Sequence, residues 1–157
     1  MTERRISIRI CICSDTHGDA CSLRELFARE QPEALLFLGD GAREFLSLEL
    51  PPALLAAGVR GNCDFVPLLP TERLLTLDGT VFYLTHGHLQ GVKQGLYGLR
   101  TAAPAEAQVV CYGHTHVADI RAEDGRIYLC PGSLRNGGSY AVYETGTPSR
   151  YGIRILK

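Results

Sequence analysis

The sequence lacks any surplus of charge. Sixteen Lys and Arg stand against seventeen Asp and Glu, a formal net charge of −1. A broad nucleic-acid or membrane-surface footprint needs a basic excess, so neither is expected, although a local patch is allowed. Long hydrophobic runs are also missing; none approaches the roughly 18 residues of a membrane span. The opening Met-Thr-Glu-Arg-Arg leads into a short strand-like run, without the apolar core and cleavage site of a signal peptide. No internal repeat, linker or low-complexity stretch interrupts the chain. Six cysteines are present, but Cys11, Cys13, Cys111 and Cys130 fall in strand-like segments, where buried thiols are common. A reduced, cytoplasmic protein without disulfides is the expectation.

What is present describes an ordinary globular chain. Its 157 residues, 45% hydrophobic and 21% charged, predict one domain over 1–157 with a full core. The first third reads βαβαβ. Strands are predicted at Ile6–Cys13, Ala34–Leu38 and Leu54–Arg60, and helices at Asp19–Arg29 and Arg43–Leu50, the second stopped by Pro51-Pro52. Such alternation implies a parallel sheet. The rest turns to hairpins. Arg73–Leu77 and Val81–Leu84 flank Asp78-Gly79; Val117–Arg121 and Arg126–Cys130 flank Asp124-Gly125. A helix over Val92–Thr101 is weakened by Gly95 and Gly98. Val109–Tyr112, Tyr140–Glu144 and Tyr151–Leu156 complete the strands. The two halves predict an α/β fold of mixed sheets packed face to face, with helices outside.

Histidine placement carries the functional signal. All five histidines lie in three short segments, each after a strand: His17; His86 with His88; His114 with His116. Asp15 shares the first segment, and Gly39-Asp40-Gly41 and Gly61-Asn62-Cys63-Asp64 follow two further strands. The steps from Asp15 to Asp40, Asn62, His86 and His114 are 25, 22, 24 and 28 residues, about one strand and its return connection each. Strands running the same way therefore bring these tips to one sheet edge, the usual ligand site in such folds. Imidazole, carboxylate and amide donors suit Mn²⁺, Fe²⁺ or Zn²⁺ better than a thiolate-selected metal. Seven donors exceed one open metal site and fit two metals about 3.5–4 Å apart sharing a carboxylate, with Asp40 the central candidate. Bland alternatives exist for single segments. Asp15 could cap a helix, although Asp19 is better placed; Asn62 and Asp64 could form turns; His86 and His88 could be surface residues. Five glycine-flanked loops sharing position and period argue against all of these at once.

The ordered pattern Asp-x-His, Gly-Asp, Gly-Asn, His-Gly-His, Gly-His-x-His runs from Ser14 to Ser133. It resembles the calcineurin-like metallophosphoesterases, above all their small capless YfcE-like phosphodiesterase branch. The resemblance implies a four-layer α/β/β/α sandwich. It implies one metal site of Asp15, His17, Asp40 and His116, and a second of Asp40, Asn62, His86 and His114. The cofactors would be two divalent transition metal ions, Mn²⁺ favoured, with Fe²⁺, Zn²⁺ or Ni²⁺ as alternatives. Two such ions less the charges of Asp15 and Asp40 leave a positive centre that attracts a phosphoester and favours a bridging hydroxide for in-line attack. Asp40, Asn62 and His88 are the catalytic candidates, His88 as a neighbour of the ligands or a proton donor. Larger relatives carry a His–Asp pair that aids the leaving group; Cys63 and Arg43 stand there instead, which favours substrates with acidic leaving groups. Cys63 reads as a small packing residue rather than a nucleophile, and Arg43 as either solvated or a phosphate contact. Asp64 and Ser133 are further residues beside the ligands or the substrate, Ser133 as part of the site floor. The expected activity is phosphodiester hydrolysis on a small or exposed substrate. The alternatives are phosphomonoester hydrolysis and a non-catalytic scaffold like the retromer subunit of this fold. A homo-oligomer remains open.

Overall fold

The computed structural model describes residues 7–65 and 68–157. Two mixed five-stranded sheets form its centre. The first contains β1 (Arg9–Cys13), β2 (Ala34–Phe37), β3 (Leu55–Gly58), β9 (Ser139–Glu144) and β10 (Arg150–Ile155), in the order β10-β9-β1-β2-β3. The second contains β4 (Glu72–Leu77), β5 (Thr80–Thr85), β6 (Val109–Cys111), β7 (Asp119–Glu123) and β8 (Arg126–Cys130), in the order β4-β5-β6-β8-β7. β1, β2 and β3 are parallel, as are β5, β6 and β8. Each set therefore ends at one edge.

The two-residue period of a strand sorts side chains into layers. Ile10, Ile12, Leu36 and Leu38 face Phe82, Leu84, Cys111 and Leu129 between the sheets. Their neighbours Cys11, Cys13, Leu35 and Phe37 face outward, under Leu23 and Leu26 of α1 (Ala20–Glu30) and Phe45 of α2 (Ala42–Leu46). Tyr83, Val110 and Tyr128 pack beneath Leu99 of α3 (Tyr97–Ala102) on the far side. The result is the four-layer α/β/β/α sandwich. Both hairpins turn through Asp-Gly with positive φ at both residues, 46° and 80° at Asp78-Gly79 and 53° and 73° at Asp124-Gly125. This matches the twist of the flanking strands.

Several boundaries differ from expectation for local reasons. Residue 6 lies outside the described residues, and β1 begins at Arg9. α2 stops at Leu46, short of Leu50, because the Ser47 hydroxyl donates to the Glu44 carbonyl and Leu48 N–H donates to Phe45. β3 keeps only Leu55–Gly58 of the predicted Leu54–Arg60. The predicted helix over Val92–Thr101 is broken: Val92–Gln94 form a 3₁₀ turn, and α3 starts at Tyr97. Gly95 takes φ 129° and ψ −171°, outside any helix and open only to glycine. β7 sits two residues later than predicted, because the tight turn pairs Glu123 with Arg126 while Thr115 Oγ1 accepts from Val117 N–H and bends the earlier segment. Asp19 is the helix cap, accepting from Ser22 N–H at 3.1 Å, which leaves Asp15 for other work. All six cysteines are free. No helix among the described residues is long and apolar enough to cross a membrane.

Candidate metal centre

The parallel strands deliver their tips to one place. Asp15 follows β1, Asp40 follows β2, His86 follows β5, and His114 and His116 follow β6. The loops are stitched across strands: Asp15 N–H donates to the Gly39 carbonyl, His17 N–H to Asp40, and Gly113 N–H to His86. The last contact ties the second sheet's two loops together; Leu134 N–H donates to Ser14 and closes the floor. Ser133 Oγ donates to the Asp15 carbonyl at 2.8 Å.

Each carboxylate is half committed. Asp15 is fully buried. Its Oδ2 accepts from the Ser14 hydroxyl at 2.6 Å and His114 N–H at 3.2 Å. Its Oδ1 has no hydrogen-bond partner and faces three imidazole Nε2 atoms: His116 at 3.0 Å, His17 at 3.4 Å and His86 at 4.0 Å. Asp40 Oδ1 accepts from Cys63 N–H at 2.8 Å, and its Oδ2 lies 3.3 Å from His86 Nε2 and 3.7 Å from His17 Nε2. Gly61 lets the two loops meet, since a Cβ there would stand 2.2 Å from Asp40 Oδ1.

The histidines turn ring nitrogens inward. His86 Nδ1 lies 2.6 Å from the Leu38 carbonyl. A carbonyl only accepts, so Nδ1 carries the proton and neutral His86 leaves Nε2 as a free donor to a cation. That Nε2 is buried without a partner. His17 and His116 bring their Nε2 atoms within 3.2 Å of each other. Unpartnered buried polar atoms are costly, and three of them gather here: Asp15 Oδ1, His86 Nε2 and His88 Nδ1. The donors fall into three overlapping sets able to hold an ion, Asp15–His17–His116, Asp40–His86–His114 and His17–Asp40–Cys63, each within 4.8 Å internally. Oxygen and imidazole nitrogen suit divalent transition metals, so the residues fit such ions.

Among the protein groups alone, electrostatics separates the members. Burial disfavours the Asp40 carboxylate, but His86 and His17 in their protonated forms, together with Cys63 N–H, hold its pKa well below the usual range. For His86 burial opposes charge, and Asp40 and Asp15 outweigh it, raising the pKa. For His88 and His114 burial dominates, His86 adds repulsion, and the pKa falls.

Other predicted residues take different places. His88 opens a 3₁₀ turn, its ring 5.4 Å from His86 and 6.2 Å from His114. Asn62 is exposed and its Nδ2 donates to Cys63 Sγ at 3.6 Å. Cys63 does not pack. It is exposed, because the turn at Gly61–Asp64 pushes it outward, and its Sγ lies within 4.8 Å of the His17 and Asp40 donor atoms. Arg43 is exposed on the first turn of α2. Asp64 accepts four backbone N–H groups, from Asp40 and Gly61 at 2.8 Å and from Gly41 and Ala42 at 2.9 Å. Sequence reasoning passed over two supports. Ser14 orients Asp15, and Glu44 accepts from Thr16 Oγ1 at 2.7 Å and Gly18 N–H at 3.0 Å, bracketing His17. The only sequence signal for Ser14 is its adjacency to Asp15; Glu44 gives none.

The chain belongs to the calcineurin-like phosphoesterase superfamily, whose domain matches residues 8–147. It is 36% identical over 129 residues to the probable metallophosphoesterase YsnB of Bacillus subtilis strain 168, covering 82% of this chain and 76% of that one. It is 29% identical over 171 residues to the phosphodiesterase YfcE of Escherichia coli K12, covering 93% and 86%. Among solved structures, a conserved protein of Streptococcus pneumoniae TIGR4, predicted to be a phosphoesterase, superposes with a TM-score of 0.76. It is 26% identical, with 96% of this chain and 99% of that one covered. The YfcE-like branch and the sandwich fold expected from the motifs both stand.

Proposed function

We propose that the protein hydrolyses phosphodiesters with the help of two divalent transition metal ions, manganese favoured. The observation that carries this reading is the pair of carboxylate oxygens, Asp15 Oδ1 and Asp40 Oδ2, set between two groups of inward-facing imidazoles. Asp15, His17, Asp40 and His116 would hold one ion, and Asp40, Asn62, His86 and His114 the other. When bound, such a pair supplies positive charge to a phosphoryl group and acidifies water. The chain's own contribution is preorganisation. Ser14 and His114 N–H fix one oxygen of Asp15, Cys63 N–H fixes one oxygen of Asp40, and the Leu38 carbonyl sets the His86 tautomer. His88 stands beside His86 and His114, outside both ligand sets. Neither Cys63 nor Arg43 supplies a positioned imidazole to the leaving group, which supports acidic, aryl-type leaving groups over alkyl monoesters. Six free thiols support a reducing compartment such as the cytoplasm.

The test is a panel of phosphomonoesters and diesters with Mn²⁺, Ni²⁺, Zn²⁺ or Mg²⁺ added to chelator-stripped protein. Diester turnover that needs added metal, loading near two ions per chain, and loss of most activity in Asp40→Asn are expected. A fully active Asp40→Asn variant, or saturation at one ion, refutes the shared-carboxylate assignment.

A further inference from the structure

Beside the metal cluster lies a recess of about 250 Å³ lined by Ala42, Arg43, Glu44, Cys63, Asp64 and Phe65. It runs between the first turn of α2 and the loop after β3. Cys63 forms the shared wall, since its Sγ reaches the donor atoms of His17 and Asp40. Two of the six groups are spoken for. Asp64 is held by four backbone N–H groups, and Glu44 by Thr16 and Gly18. Two others have no work inside the fold. The Phe65 ring is 91% exposed. The Arg43 guanidinium is exposed and pairs with no carboxylate among the described residues.

An aromatic face and an unpaired guanidinium at one recess define a ligand class. A planar ring stacks on the first, and an anion pairs with the second. Building on the phosphodiesterase reading, we propose that this recess binds the non-leaving substituent of the substrate, and that this substituent is a planar aromatic group carrying an anion, as in a nucleotide. Phe65 supplies the stacking face, Arg43 neutralises the anion, and the reacting phosphoryl group sits on the Asp40 side of Cys63. Both residues lie outside the ligand sets and are exposed, so their removal leaves folding and metal loading intact.

The test holds the leaving group constant. Methyl, phenyl and carboxyphenyl esters of 4-nitrophenyl phosphate, the last with the carboxylate at position 3 or 4, are compared on manganese-loaded wild type, Phe65→Ala and Arg43→Gln. Stacking on an aromatic side chain predicts a KM about tenfold lower for phenyl than for methyl in wild type. Phe65→Ala should abolish that ratio without changing kcat on the methyl ester. Arg43→Gln should keep the phenyl ratio and remove the further gain from the carboxylate. Titration with methyl- and phenylphosphonate reads the same ratio without turnover. If no diester is hydrolysed, the phosphodiesterase reading fails, and the titration still decides the recess. A phenyl-to-methyl ratio near one in wild type, or one unchanged in Phe65→Ala, overturns the proposal. A carboxylate gain that survives Arg43→Gln overturns the anion assignment.

Discussion

Replacing Asp64 by asparagine is the sharpest test of how the centre is held. The carboxylate gathers Asp40, Gly41, Ala42 and Gly61 N–H groups at 2.8–2.9 Å, two on each oxygen. This one side chain ties the β2–α2 loop to the tip of β3 and orients the backbone of Asp40. Asparagine keeps its size but only one acceptor. Whichever way the amide turns, its NH₂ faces two N–H donors. Hydrogen bonds to a charged acceptor are worth roughly 1.5–3 kcal/mol each. Two are lost, but Asp64 is half-buried and water reaches it in part. The expected loss is about 2–3 kcal/mol. The Asp40 loop loosens as well, so affinity for Mn²⁺ should fall about 10–100-fold, as when a hydrogen-bonding support of a ligand is removed. Urea denaturation of chelator-stripped protein reads the first quantity, and calorimetric titration with Mn²⁺ the second. A variant within about 0.5 kcal/mol of wild type, the range of an ordinary surface substitution, with unchanged affinity would refute the reasoning.

Two more outcomes are expected. A thiol reagent at neutral pH should modify the exposed Cys21 and Cys63, while Cys11, Cys13, Cys111 and Cys130 react only on unfolding. Burial pushes Cys11 up to about 12 and Cys130 to about 11, and Cys13 and Cys111 higher still. Mass spectrometry of native and denatured protein counts the labels, and a native label on any of the four would contradict this. Asp19→Ala should cost ~1 kcal/mol at neutral pH, the usual worth of a helix cap. The Ser22 hydroxyl, then Ser22 and Asn136 N–H, hold the Asp19 pKa below its ordinary value against partial burial. Its stabilisation is therefore complete above the unfolded value of about 4 and is lost as pH falls through the folded one. The gap between wild type and variant, measured by denaturation from pH 7 to 2, should narrow below about pH 4; a constant gap would exclude the carboxylate as its source.

What was legible depended on how local the cause was. The Asp-Gly hairpins were readable because each turn encodes its own twist. The isoleucine-rich run that ends at Cys13 was readable as a strand, and the structure places Ile10 and Ile12 between the sheets and Cys11 and Cys13 under α1. The break at Gly95 was visible as a weakness but not as a stop, since the same residue is tolerated inside other helices. Strand order was beyond local reasoning. β9 pairs antiparallel with β1 from more than 120 residues away, and nothing near either strand names its partner. The supports of the centre were legible only in part. Glu44 looks like a surface acid in sequence; Asp64 was placed beside the ligands, but the backbone N–H groups it gathers carry no sequence signature.

The motif was readable for a conformational reason as much as a chemical one. Of the nine non-glycine residues at positive φ among those described, five are in the proposed ligand sets: Asp15 at 57°, His17 at 43°, Asp40 at 58°, His114 at 72° and His116 at 63°. Left-handed backbone costs an L-residue roughly 1–2 kcal/mol and is least disfavoured for Asn, Asp and His. Glycine would relieve the strain and donate nothing to a metal. The sharp turns that bring donors inward thus restrict those positions to the few residue types that both tolerate the turn and offer an oxygen or a nitrogen. Glycines crowd beside them because the same turns press backbone against backbone, as Gly61 does against Asp40. The strain persists because cross-loop bonds, from Asp15 N–H to Gly39 and from His17 N–H to Asp40, over-determine each turn. A short donor flanked by glycine at a strand end is therefore what a preorganised centre of this geometry requires, and its fivefold recurrence made the site visible before the fold.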